Sequence, residues 1–479
     1  MEEGLLCREE RGERRDGGDL RWGVVMEEVK KQGLLAGPMI VVLVFQNLQQ
    51  EISLMMVGHF GELALSSAAI ATSLSSVIGF SVMMGMASAL ETLCGQAYGA
   101  QQYQKLGIHT QRAVLALLLV ALPLSLLWAF MGKILIFIGQ DLLISFEAGK
   151  YVMWMIPALF AYAVLQALII FFQSQSLILP MLLTSLATLC FHIPVLVYNI
   201  GLGNVGAALA ISISYWLNVV ILGLYVKYSP SCEKTRAPLS KEVFRGLDEF
   251  FRVAIPSALM ICLEWWSFEL LILLSGLLPN PKLETSALSI CLTTISLLYT
   301  IPYGLGAAAS TRVSNELGAG KPQAARLAVC VVMCVAVVAT AIVATALFCI
   351  RYVLGYAFSN EKEVIDYVRR MVPLICLSVI TDSLQGVLSG VARGCGWQHL
   401  GAYVNLGAFY LVGIPVASIL GFVLHLKGWG LWIGIVSGSA LQSVLLSLIT
   451  GFTNWQQQAD KTRARVFAKS LLIDDGLRK

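Results

Sequence analysis

The stretch Leu263-Glu264-Trp265-Trp266-Ser267-Phe268-Glu269 lies inside an apolar run, residues 250–278, with no Lys or Arg between Arg252 and Lys282. A carboxylate at bilayer depth costs ~2.5–3.5 kcal/mol on insertion scales. Two in one run, in a chain otherwise sparing with charge, need a reason. Across 479 residues, 57% are hydrophobic and only 13% charged, where soluble domains carry about 25% charged residues. Mean hydropathy is +0.76. The chain is an integral membrane protein by composition. Its net charge of +4 is small, and no nucleic-acid partner is expected.

A span needs ~20 apolar residues, and about twelve runs meet that criterion. They cover residues 34–57, 68–93, 113–138, 151–172, 177–200, 207–227, 250–278, 285–309, 325–354, 364–392, 402–424 and 429–452. The charged head 1–32 precedes them and reads as unstructured up to a short helical lead-in from Trp22 to Lys31. Lys and Arg set the orientation. About 25 of the 33 fall on one side, with the head, the central loop and the tail. Both termini are therefore expected in the cytoplasm. The eleven cysteines are scattered, mostly inside apolar runs, and only Cys330 and Cys334 share a helix face. No metal-ligand spacing accompanies them, so no metal is expected.

The two halves resemble each other. Pro38, Glu51 and Gly58 are matched by Pro256, Glu269 and Gly276 at one constant offset. Gly99-Ala100 is matched by Gly318-Ala319, Tyr151…Pro157 by Tyr367…Pro373, and Pro194 by Pro415. Each half holds an even number of spans, so the halves share an orientation, the parallel-repeat case of transporters. The expected fold is an all-α polytopic membrane protein of about twelve helices in two pseudo-symmetric six-helix lobes. The divisions are the head 1–32, an N-lobe 33–228, an inter-lobe loop 229–248, a C-lobe 249–452 and a tail 453–479.

The repeat separates the acids. Glu269 falls opposite Glu51 and belongs to a shared pair, for which a structural role competes evenly with a functional one. Glu264 falls opposite Gln46, and Asp382 opposite Gln166. Both carboxylates free to titrate on demand are thus in the C-lobe, with amides in their places in the N-lobe. Ser378, Asp382, Gln385 and Ser389 recur along one helix face, as do Ser257, Glu264 and Ser267. Glu264 and Glu269 stand about 140° apart around their helix and cannot serve one site equally. Tyr299, Tyr303 and Asn405 add polarity to the same lobe. Gln50 joins Gln46 and Glu51 as a cavity or structural candidate of the first run, and Pro38 and Pro256 are candidate helix bends. His192, alone in the fifth run, reads as a satisfied polar side chain rather than a proton relay. Trp265 and Trp266, at mid-helix, read as packing residues rather than interfacial anchors.

Much chemistry is absent from the sequence. There is no Gly-x-x-x-x-Gly-Lys-Ser/Thr phosphate loop, no H-E-x-x-H and no G-x-S-x-G. Without an engine of its own, uphill transport borrows an ion gradient. A proton crossing one pH unit supplies about 1.36 kcal/mol, and 100 mV adds about 2.3 kcal/mol.

ETLCGQAYGA from Glu91 to Ala100, STRVSNELGAG from Ser310 to Gly320 and GVARGCGWQ from Gly390 to Gln398 resemble the multidrug and toxic compound extrusion family. LEWWSFE from Leu263 to Glu269 resembles its plant branch, the detoxification-type efflux carriers. The resemblance covers roughly residues 28–452. It implies two six-helix bundles in a V and substrate/proton antiport. It also implies a C-lobe proton site on the seventh and tenth helices, at positions matching Glu264 and Asp382. Tyr299 and Asn405 match positions that complete that cluster, with Gln385 and Ser267 supporting it. The first-helix aspartate of prokaryotic members is not evident, Gln46 and Glu51 standing in that region.

The function expected is proton-coupled export of neutral or cationic organic compounds from the cytosol by alternating access, with no enzymatic activity. Protons are the coupling ion and no cofactor is expected. The partners are a small organic substrate and the lipid bilayer, for a monomer in the plasma or vacuolar membrane. The competing class is a non-coupled membrane protein, such as a lipid flippase, a scramblase or a channel.

Overall fold

A computed structural model describes residues 3–195, 203–238 and 241–477, with side chains over 22–193, 203–238 and 241–467. Eleven helices among the described residues are long and apolar enough to cross a bilayer. They are α1 (Trp22–Gly58), α2 (Glu62–Gly99), α3 (Tyr103–Ala129), α4 (Leu142–Ser174), α6 (Gly203–Tyr228), α7 (Lys241–Ser275), α8 (Pro281–Gly318), α9 (Pro322–Cys349), α10 (Lys362–Cys395), α11 (Gln398–Val423) and α12 (Lys427–Gly451). The apolar helix α5 (Ile178–Ile193) is shorter, and the rest of the run expected over 177–200 lies largely outside the described residues. A last helix, α13 (Trp455–Leu477), follows in the tail.

Local chemistry sets many boundaries. Pro281 and Pro322 occupy first-turn positions of α8 and α9, where a missing N–H costs nothing. Asp141 caps α4 by accepting from the amides of Leu143 and Ile144 at 2.9 and 3.1 Å. Gly396, at φ 83°, stops α10 in the left-handed conformation that favours glycine. α1 and α7 stay helical through Pro38 and Pro256.

The head departs from expectation, because the first helix is continuous from Glu3 to Gly58. Its sequence is rich in Glu, Arg and Leu, strong helix formers, and extending a formed helix needs no new nucleus.

Helices α1 to α6 pack mainly on one another, and α7 to α12 do the same. Between the two groups α8 lies against α1 and α2, and α7 against α2. At 38 residues, α8 is about 57 Å long, well beyond a hydrocarbon core of ~30 Å. Its far end therefore stands outside the bilayer, where the two groups close on each other. A methyl on Gly99 would run into the carbonyl oxygen of Asn315, and one on Gly318 into that of Gln96. These glycines let α2 and α8 cross in contact, symmetrically, as small residues do between membrane helices. Gln96 Nε2 then donates to Gly394 O at 3.1 Å and Asn315 Nδ2 to Ser174 O at 3.2 Å.

Buried ion pairs join the same end. Arg393 meets Glu91 at 3.0 Å, and Arg312 meets Glu28 at 2.8 Å and Glu316 at 2.7 Å. The tail also closes over it. Gln458 donates to Cys395 O at 2.7 Å, Arg465 to Gln96 Oε1 at 3.2 Å, and Lys105 to Val466 O at 2.6 Å. So α13 touches both helix groups.

Candidate functional site

The site is built on α10. Gly386, Gly390 and Gly394 recur every four residues and face α8. A methyl on Gly390 would collide with Gly306 O, and one on Gly394 would lie 2.7 Å from Ser310 O. Gly386 also leaves room for Tyr299, whose hydroxyl would stand 3.0 Å from an added Cβ. The close approach that small residues permit brings the α10 polar stripe against α8. Ser378, Asp382, Gln385, Ser389 and Arg393 are all buried along it.

Glu264 of α7, 7% exposed, meets this stripe. Its Oε1 accepts from Gln385 Nε2 at 2.8 Å and from Tyr299 OH at 3.1 Å. Its Oε2 accepts from Gln442 Nε2 of α12 at 3.5 Å. The same Gln442 nitrogen donates to Asn405 Oδ1 at 2.8 Å, and Asn405 Nδ2 donates to Met260 O at 2.6 Å. Asn405 is the last residue before a π-helical stretch, Leu406–Gly413, a distortion that often marks functional positions. With α11 supporting them through Asn405, donors from three helices thus converge on a carboxylate carried by a fourth. Every hydrogen-bond donor to it is neutral, and among the described residues neither Glu264 nor Asp382 forms an ion pair.

The two acids are placed differently. Asp382 is buried with Oδ2 lacking a hydrogen-bond partner, although it lies within electrostatic reach of Glu264. A carboxylate left so in a low-dielectric interior is costly, and the Ser439 hydroxyl beside it, buried and without another partner, is the donor at hand. Glu284 offers a contrast in the same lobe. It is buried too, but accepts from Tyr367 OH at 2.5 Å and the Gly428 amide at 3.1 Å, and those bonds tie the starts of α8, α10 and α12 together.

Tyr299, Gln385 and Asn405 therefore join the cluster around Glu264. Ser267 does not reach the carboxylate: its hydroxyl bonds the main-chain oxygen of Glu264 at 2.7 Å. A serine on a helix back-bonds one turn up, and nothing on the opposite side competes for it. Gln442 is the member sequence reasoning missed. In the sequence it stands as a lone amide in an apolar run. The run does carry a signal, with Gly434, Gly438 and Gln442 at four-residue spacing.

The N-lobe residues gather around a different center. Gln50 donates to Tyr215 OH at 3.1 Å. His192 lies buried between Ser53 Oγ at 2.8 Å and Ser214 Oγ at 2.9 Å, both ring nitrogens satisfied. Gln46 is half-buried and Glu51 exposed. Its repeat partner Glu269 is half-buried and accepts from Ser73 Oγ of α2 at 3.3 Å. Trp266 donates to Val77 O at 3.0 Å across the helix groups, while Trp265 is 39% exposed. Trp266 thus packs as expected and Trp265 faces outward.

Comparison with known proteins agrees with this architecture. The family model described as MatE matches residues 38–198 and 256–419, once in each half. Protein DETOXIFICATION 12 of Arabidopsis thaliana is 57% identical over 465 residues, covering 96% of this chain and 97% of the relative. Protein DETOXIFICATION 14 of the same plant is 57% identical over 470 residues, covering 97% and 96%. The crystal structure of the eukaryotic MATE transporter AtDTX14 superposes with a TM-score of 0.90 at 58% identity, over 92% of this chain and all of that one. An outward-facing multidrug resistance MATE family transporter shares the fold at a TM-score of 0.80 and 14% identity, over 91% of this chain and 97% of that one. A twofold helical repeat, polar residues buried in both halves and matches that run the length of the chain lead to one assignment: the chain belongs to the MatE family of multi-pass membrane efflux transporters.

Proposed function

We propose that the protein is a proton-coupled antiporter that exports neutral or cationic organic compounds by alternating access, with Glu264 as the proton switch and Asp382 beside it. The observation that carries this reading is the Glu264 carboxylate, buried where α8, α10 and α12 meet α7 and held by neutral donors alone. Glu91 has a fixed cation in Arg393, and Glu284 a main-chain amide and a phenol that tie helix ends together; Glu264 is held by side chains alone. A carboxylate held by side-chain amides and a phenol can lose or gain a proton while its partners rearrange. Ionised, it accepts from Gln385, Tyr299 and Gln442; protonated, it becomes a donor and needs an acceptor. Gln442, whose Oε1 is buried without a partner, is an amide within reach.

Such a change on α7 is felt by α2, against which α7 packs, and so by the crossing that closes the basic end. Protons entering from the acidic side favour substrate release, and their departure to the cytosol resets the carrier. Arg393 is committed to Glu91, so Glu264 and Asp382 have no ion-pair partner among the described residues, which favours cationic and neutral substrates over anions. The Lys and Arg bias supports cytoplasmic termini, and the relatives' name supports a detoxification role, for which the plasma or vacuolar membrane is the proposed location. In proteoliposomes, an imposed pH gradient should drive uptake of a cationic amphiphile that a protonophore collapses. Glu264→Gln should abolish it, and undiminished pH-driven uptake in that variant sinks the mechanism.

A further inference from the structure

A cavity lies away from the carboxylates. It is a groove of about 410 Å³ between α3 and the turn Lys241–Gly246 that begins the second lobe. Gln111, Val114, Leu115 and Leu118 form one stripe of α3 along it, and Lys241, Val243 and Phe244 close the other side. The turn is fastened to α3 through Arg112, which donates to Glu242 O at 3.2 Å and lies 3.6 Å from Glu249.

The depth of this groove follows from α3 itself. Its first turns carry Gln104, Lys105, His109, Thr110, Gln111 and Arg112, and from Ala113 to Ala129 only Ser125 is hydroxylated and nothing is charged. The hydrocarbon boundary therefore falls near Arg112. Gln111 and Lys241 stand at headgroup level and Leu115 and Leu118 below it. Beyond them Leu119, Leu122 and Leu126 are exposed, so the groove opens toward the bilayer.

The turn carries the matching charge. Lys241 and Arg245 are exposed and form no ion pair among the described residues. Between them Phe244 is 66% exposed. Arg112 neutralises Glu249, and Glu242, the acid on the turn, has interactions of its own. An aromatic ring between two free cations, at the level of lipid headgroups, is an interfacial anchor for an anionic surface.

We infer that this groove is a binding site for one anionic phospholipid, its phosphate held by Lys241 and Arg245 and one acyl chain lying against Leu115, Leu118 and Phe244. The site sits on the link between the two helix groups, so its occupant touches the segment across which they move. Each cation near an anionic surface contributes about 1 kcal/mol, so the pair amounts to roughly thirtyfold in preference for anionic over zwitterionic lipid.

The test uses the full-length protein in phosphatidylcholine vesicles doped with a photoactivatable phosphatidylserine or, in parallel, a photoactivatable phosphatidylcholine. Labelled peptides should map to the α3 stripe and to Val243 and Phe244, with the serine lipid favoured by that factor. Lys241→Glu with Arg245→Glu should remove the preference while leaving the unfolding temperature unchanged. Leu115→Trp, which fills the groove and keeps both cations, should block labelling by either lipid. Labelling spread evenly around the protein, equal labelling by both lipids, or an unchanged preference in the charge-reversed protein overturns the site.

Discussion

The two lobes are copies with different interiors. In the C-lobe a carboxylate is buried at Glu264 of α7, and α8, α10 and α12 reach it through amides and a hydroxyl, with Asn405 of α11 behind Gln442. In the N-lobe the corresponding depth holds Gln50 on Tyr215 and His192 between two serines. The second arrangement holds no acid, although buried atoms on its helices, Gln49 Nε2 and Asn218 Oδ1, also lack partners. The first has unsatisfied atoms, Asp382 Oδ2 and Gln442 Oε1. A repeated scaffold therefore need not carry a repeated function. In the proposed mechanism the proton goes to the copy that buries acids, because a buried carboxylate without an ion-pair partner is the group a proton can stabilise.

The strongest way to break this comparison is to exchange the interiors. A protein carrying both Gln46→Glu and Glu264→Gln keeps the number of buried acids but moves one into a lobe without the cluster of donors. Its transport should lose the roughly tenfold drive per pH unit that a coupled proton supplies, measured as uptake against imposed pH steps. A swapped protein that still responds would show that either lobe can couple.

Next in size is packing. Gly390→Ala places a methyl against Gly306 O, whereas Gly223 of α6 has nothing within 4 Å. The first should cost about 1–3 kcal/mol; the second should be neutral or stabilising by about 0.5–1 kcal/mol, the ordinary gain for Ala over Gly in a helix. Chemical unfolding in detergent reads both, and equal effects would mean that α8 and α10 have room to part.

Smaller again is Gln442→Leu, which strips donors from Glu264 and Asn405. A loss of about 1–2 kcal/mol is expected, together with a shifted pH profile of transport. His192→Leu, in the N-lobe, should cost about 1.2 kcal/mol, two interhelical hydrogen bonds at the membrane average of about 0.6 kcal/mol each, and leave that profile unmoved. A displaced profile in the histidine variant would bring the N-lobe into the proton path. The smallest effect belongs to the tail. Arg465→Ala removes one bond to Gln96, worth about 0.5–1.5 kcal/mol, and should raise hydrogen exchange in the second half of α13 alone.

Much of this was visible in the residues. Apolar runs gave the helices, because a bilayer demands ~20 apolar residues and rejects unpaired backbone. The repeat singled out Glu264 and Asp382, since an acid facing an amide at an equivalent position is a difference without a packing reason. Other features were not legible. Ser267 lies on the right face by periodicity, yet its hydroxyl serves the backbone. Gln442 looked like any isolated amide until α12 was placed against α7. The head looked too charged to order, although helix extension from α1 costs little.

The sequence by itself determined the class of the protein, its twofold construction and the lobe that carries its two unusual acids, because burial cost and periodicity act on each segment separately. Only the tertiary structure decided that Glu264 is the center and Asp382 its unsatisfied neighbour, that α2 and α8 cross at paired glycines, and that the tail lies over the closed end. Those outcomes depend on which helices touch, and contact between segments hundreds of residues apart is set by packing that no single run of sequence contains.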